Sequence, residues 1–354
     1  KVDPQGNQYP YIDEIRLDLV ENTELVNLKA ANGELDMQFR HIAITKYPVL
    51  QENAEAGDFR LLRWPAAEGA SPQFFPNQTT EDPNLRAAFR DLRFRQALSL
   101  AIDREQINQV SHRGLGVPRA ATLVPESPYY VPEVEQANAA YDPAQAETLL
   151  DEMGLVKGED GVRRFEDGSA VAFIVETSET TGPRLDAIEL ARENWMAIGL
   201  QTEIKTMDRA LYWERAIGNQ VQMAVWGSDR GLEPFVDPIY LLPFDNRSWW
   251  APDWGVWYHE SGEAGEEPTE QARAAQTLYD EFKTTIDGAA QIEIGKQIVR
   301  MHAENAWTIG TVGMTPSIVV VKNNFRNVPE QAVTDWIFMS PGNLDPFQFF
   351  FKTE

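Results

Sequence analysis

In the stretch GSDRGLEPFVDPIYL three carboxylates, Asp229, Glu233 and Asp237, recur at every fourth position, and the surrounding sequence gathers Trp226, Tyr240, Trp249, Trp250, Trp254, Trp257 and Tyr258. Two kinds of chemistry use such a set. A pair of carboxyls flanking a sugar performs acid and base work in a glycoside hydrolase, here Asp229 or Asp237 with Glu233. Alternatively, a single carboxylate gives an ammonium a charge-assisted hydrogen bond while ring faces pack on the rest of a bound solute. The chain carries 55 acidic residues, so carboxylates fall beside aromatics by chance, and Arg230 follows Asp229 directly as a counter-ion. Binding without catalysis is the expected use.

Other reaction chemistry has less to stand on. The histidines are His41, His112, His259 and His302, scattered and without the His-Glu-x-x-His spacing of a zinc site. There is no cysteine, no Gly-x-Ser-x-Gly elbow, no phosphate-binding loop and no dinucleotide glycine pattern. No metal and no cofactor is expected. A formal net charge of -24 opposes nucleic acid, whose binding requires lysine and arginine to neutralise phosphates. No apolar run approaches the ~20 residues that span a bilayer. The absence of cysteine leaves the compartment open.

These residues must be positioned by a frame, and 354 residues with 43% hydrophobic content allow two domains of an α/β protein. Alternating Ile15, Leu17 and Leu19 predict a strand, Asn22 or Thr23 caps a helix that stops at Gly33, and LDMQF resumes an extended run. Asp82, Asp91, Asp103 and Asp142 are placed as helix caps, and Arg93, Arg95 and Arg104 are expected to point away from the apolar face of Phe94, Ala97, Leu98 and Ala101. The Asp-Gly pairs before Val171 predict a hairpin feeding a strand. A long helix over 184–198 follows, then strands in QTEIKTM and QMAVWGS around a helix opened by Asp208. Residues 227–267, rich in proline and aromatics, are expected as a long loop. Two helices over 269–285 and 290–305, the strand SIVVVK and a closing NLDPFQFFFK complete the chain.

The strings FRDLRFRQALSLAIDREQI, GLGVPRAATLVP, YDPAQAETLLDEMGL, ENWMAIGLQTEI and LKAANGELDMQF together resemble the family 5 extracellular solute-binding proteins of bacterial ABC importers, the oligopeptide- and dipeptide-binding group. The resemblance implies a periplasmic-binding-protein-like two-lobed fold of type II, in the large peptide-binding subclass, here as a C-terminal portion lacking its N-terminal part. Residues 1–72 would belong to lobe one, 73–306 to lobe two, and 307–354 would cross back to lobe one. Segments 74–77 and 307–312 would form the hinge.

The same resemblance implies a monomer that is periplasmic or extracellular, free or tethered as a lipoprotein. It would capture an oligopeptide-like solute by hinge closure and deliver it to a membrane ABC permease. An oligosaccharide or opine-like ligand is the alternative. Trp226, Ser228 and Asp229 match a family pattern of Trp, a small residue and an aspartate that pairs with the peptide α-amino group, which would make Asp229 the pairing residue and Trp226 and Ser228 its neighbours in the site. Trp249, Trp250, Trp254 and Trp257 are candidate stacking residues, with packing weighed equally, and Asn77, which closes the first crossing segment, is a further candidate ligand-binding residue. Arg95, Asp103 and Arg104 are assigned to the frame, where charges at helix ends cap and pair locally.

Overall fold

A computed structural model of the chain describes residues 1–178 and 182–352, and these form two compact units, 1–67 with 314–352 and 68–313. In the first unit, Ser317–Lys322 is the central strand of a three-stranded antiparallel sheet, flanked by Met37–Gln38 and by Phe59–Trp64. The alternation in SIVVVK puts Ile318 and Val320 on one apolar face with Phe59 and Leu50, and Val319 and Val321 on the other with Trp64 and Phe349. Both faces are therefore covered, which is why that strand reads as a continuous apolar run.

The second unit is built on a five-stranded sheet in the order Gln201–Thr206, Ala172–Thr177, Met223–Trp226, Gln73–Pro76, Ile309–Gly310. Its first three strands are parallel and its last two antiparallel to their neighbours. One face packs on Phe94, Ala97, Ile188 and Trp195, the other on Tyr212, Trp249, Trp250 and Trp307. The aspartate caps form as the sequence predicts. Asp82, Asp91, Asp103, Asp142 and Asp208 each accept hydrogen bonds from backbone N–H groups of the first helical turn that follows.

Several sequence expectations need correction. The strand expected over 14–20 has no ladder partner among the described residues, and Ile15, Leu17 and Leu19 lie 80 to 102% exposed. Alternation marks a face suited to burial, but only a neighbouring edge makes a strand. Residues 227–267 are not all loop, because Pro252–His259 is a helix. Its Pro252 sits in the first turn, where a missing N–H costs nothing, and a Cβ at Gly255 would collide with the Asp245 backbone. Residues that read as loop punctuation are there for a helix start and a close approach.

The segments 74–77 and 307–312, expected to form a hinge, lie within the second unit, with 74–76 and 309–310 in its five-stranded sheet. Phe74 and Phe75 face its two cores, and Ile309 pairs with Phe74. The chain passes between units at 67–68 and 313–314.

Arg95 and Arg104 also differ from expectation, since both are buried rather than turned outward. Arg95 donates to the carbonyls of Phe89 and Asn305, at 2.6 to 2.9 Å. Arg104 donates to the carbonyls of Ser99, Ala139 and Gly310 and to the Ser99 hydroxyl, at 2.7 to 3.1 Å. A guanidinium has five donors, so one side chain satisfies the carbonyl ends of several elements at once.

Candidate functional site

The strand Met223–Trp226 ends at a loop whose backbone is fixed by Ser228. Its N–H donates to Ala70 O and its carbonyl accepts from Gly69 N–H, both at 2.8 Å. This pairing holds Asp229 and Arg230 at the rim of the second unit's apolar core. Asp229 Oδ1 accepts from Arg230 Nη1 at 2.6 Å and from the Tyr240 hydroxyl at 3.4 Å. Its other oxygen makes no side-chain hydrogen bond among the described residues, and the side chain is 30% exposed. Loss of solvent raises the Asp229 carboxyl above the usual range, against the opposing pull of Arg230.

Arg230 stacks over the Tyr240 ring at 4.8 Å and continues the chain of charges to Asp237, whose Oδ2 takes its Nε at 3.1 Å and Nη2 at 2.8 Å. Arg247 holds both oxygens of Asp237, at 2.9 and 3.1 Å, and pairs with Asp245 at 2.6 Å. Three carboxylates thus share two guanidinium groups by ion pairing, Asp229, Asp237 and Asp245 against Arg230 and Arg247, one negative charge in excess within that set, while the more distant Arg184 also acts on Asp229. Asp237 is saturated. Asp229 is the member with an open oxygen, so an added cation is best placed there. Asp229 and Asp237 are bridged by the Arg230 guanidinium, and Asp237 has both oxygens engaged by Arg230 and Arg247.

Trp226 is half-buried, with the guanidinium groups of Arg184 and Arg209 over its ring at 5.7 and 5.1 Å. Its remaining surface meets Tyr212, Trp213 and Trp249. The candidate stacking residues divide. Trp250 and Trp254 are wholly buried and Trp249 nearly so, and their faces and edges meet Trp307, Phe75, Tyr212 and one another. In this arrangement they pack and offer no ring face to a solute. Trp257 is partly exposed, with Arg273 over its ring at 5.2 Å.

Asn77 is turned inward. Its Nδ2 donates to Asn219 Oδ1 and Val221 O, and its Oδ1 accepts from the N–H and hydroxyl of Thr79. Every polar atom of that side chain is used internally, which makes it a turn-holding residue. Sequence reasoning missed Arg184, Arg209, Arg247 and Trp213, which come from other helices and from further along the loop. Their types carry no spacing signal that links them to Asp229.

Set beside known proteins, residues 3–249 match the model of the bacterial extracellular solute-binding proteins, family 5. The chain belongs to that family. It is 38% identical to an oligopeptide-binding protein OppA of known structure, with a TM-score of 0.77 over 99% of this chain and 58% of that one. The periplasmic binding protein MelB of Agrobacterium fabrum, solved with stachyose, superposes with a TM-score of 0.80 at 18% identity, over 99% of this chain and 53% of that one.

Among curated relatives, the dipeptide-binding protein of Escherichia coli is 29% identical over 40% of this chain and 25% of its own length. The periplasmic alpha-galactoside-binding protein of Rhizobium meliloti is 23% identical over 94% of this chain and 49% of its own. The chain therefore spans between a quarter and a half of the curated relatives it matches. Among the described residues no helix is long and apolar enough to cross a membrane, and no cluster of side chains is suited to a metal ion.

Proposed function

We propose that this protein is the solute-binding component of an ABC importer, capturing an oligopeptide-like solute outside the cytoplasm and presenting it to a membrane permease. The family match carries the class, and the open oxygen of Asp229 carries the ligand type. A peptide brings one ammonium to a charge chain with one negative charge in excess. Trp226 and Ser228 hold the loop that presents that oxygen. Solute contacts made only in a closed form would shift an open–closed equilibrium by their differential affinity. The protein acts as a monomer in this reading, and its task is capture without chemical change.

Calorimetric titration with a tripeptide, its N-acetylated form and the Asp229→Asn variant tests the proposal. The free amine should bind and acetylation should abolish binding. Asp229→Asn should weaken it on the order of a hundredfold, because the ammonium then loses its charged hydrogen-bond partner. Equal affinities for the free and acetylated peptides would refute it. A neutral oligosaccharide is the second reading, favoured by the coverage of 94% of this chain in the match to the alpha-galactoside-binding relative. In that case Asp229→Asn is mild and Trp257→Ala or Trp226→Ala is the damaging change.

A further inference from the structure

Behind Asp229 the loop closes over a small cavity lined by Gln73, Thr122, Ser228, Arg230, Asp237 and Tyr240. Two of its lining side chains are out of balance. Gln73 and Thr122 are 1 and 2% exposed, yet Gln73 Oε1 and Thr122 Oγ1 have no hydrogen-bond partner among the described residues. A buried acceptor left unpaired costs about 1 to 3 kcal/mol, so such atoms point to something that occupies the space.

The polarity of Gln73 follows from a relay of three side chains. The Leu241 carbonyl only accepts, so the His302 nitrogen facing it, Nδ1 at 3.4 Å, is assigned the ring proton. Burial keeps His302 neutral, lowering its pKa to about 4. Nε2 is then an acceptor, and the Thr308 hydroxyl at 2.9 Å donates to it. With its proton so committed, Thr308 Oγ1 accepts from Gln73 Nε2 at 2.6 Å. The Gln73 amide therefore cannot flip without breaking the relay, and its carbonyl oxygen is the atom left over.

Three classes of occupant can be compared. A group that only accepts leaves Gln73 Oε1 unsatisfied. A cation meets the Arg230 guanidinium on the same wall. A neutral hydroxyl donates to Gln73 Oε1 and accepts from Thr122 or Arg230. We propose that this cavity is a subsite for one hydroxyl group of the bound solute, with Gln73 as its specificity-determining acceptor, and that a water molecule fills it when no solute is bound. The inference rests on the solute-binding reading but is indifferent to whether the hydroxyl comes from a sugar or from a serine-type side chain.

The test has two arms. In calorimetry, Gln73→Met and Thr122→Val should each weaken stachyose or serine-containing tripeptides at least tenfold while leaving all-alanine tripeptides within twofold. Equal losses for both kinds of probe would overturn the subsite. In crystals without solute, a water should bridge Gln73 Oε1 and Thr122 Oγ1, methanol should replace it, and acetonitrile, which cannot donate, should be excluded. A dry cavity, or one that admits acetonitrile, would overturn the proposal. If no probe binds, the solute classes under Proposed function fail, and the crystal arm decides this inference alone.

Discussion

Arginines do opposite work in two regions of the second unit. In the frame, Arg95 and Arg104 are buried among carbonyl oxygens and have no hydrogen-bonded carboxylate partner among the described residues. In the loop after Trp226, Arg230 and Arg247 lie between carboxylates and leave one oxygen of Asp229 open. The difference lies in what remains unsatisfied. A guanidinium facing carbonyls locks elements together, whereas one shared among acids sets a residual charge at a surface. Burial pushes the frame guanidinium groups down from their ordinary values, while Arg247 is raised by its bonds to Asp245.

The largest effect should come from breaking the frame. Arg104→Met strands the carbonyls of Ser99, Ala139 and Gly310, and hydrogen bonds to charged groups contribute roughly 1.5 to 3 kcal/mol each. Urea denaturation should show a loss of about 3 kcal/mol or more, and Arg95→Met somewhat less. Solute affinity should stay within a few-fold in both. Unchanged stability with lost affinity would move these residues from the frame to the site.

Next in size is an acid limb. His302 has a folded pKa near 4 against an ordinary 6.5, so the unfolded chain binds more protons between those values. Its contribution is present above pH 6.5 and is lost as pH falls toward 4, by about 3 kcal/mol if the full shift is realised. His112 is depressed to about 4 as well and adds a parallel loss. Stability measured from pH 7 to 4 should fall less steeply in His302→Gln, with His112 supplying the remainder. An identical slope in the variant would show that His302 is not buried neutral, and the Gln73 polarity would fall with it.

Much of the frame was legible because its signals are local. An aspartate before an apolar-periodic run caps a helix wherever the run goes, and Asp103, Asp142 and Asp208 do so. The direction of Arg95 and Arg104 was not legible, because their acceptors belong to elements up to about 210 residues away. The tryptophans show the same limit from the other side. Composition flagged Trp249, Trp250, Trp254 and Trp257 alike, but only packing separates the buried three from Trp257. Asp229 was singled out by its place after Trp226 and Ser228. The charge chain that gives it an open oxygen depends on Arg247 and Asp245, which the loop brings back from further along.

The smallest effect on stability, and the one that bears most directly on the contrast, is that of Asp229 itself. Its carboxyl is raised above the usual value, with loss of solvent the largest cause and Arg230 opposing it. For an acid so shifted, the folded state holds the proton more tightly than the unfolded one. Stability therefore falls as pH rises from the unfolded value of 3.8 through the raised folded value, and the deficit persists at neutral pH. Asp229→Asn removes that deficit and retains an acceptor for Arg230 Nη1. At pH 7 the variant should be slightly more stable than the parent, with the difference vanishing below pH 3.8, while peptide affinity collapses. Thermal melts at pH 7 and 3.5, paired with calorimetry at pH 7, measure both. A frame residue loses stability and keeps affinity; a variant of Asp229 that did the same would place it with Arg95 and Arg104.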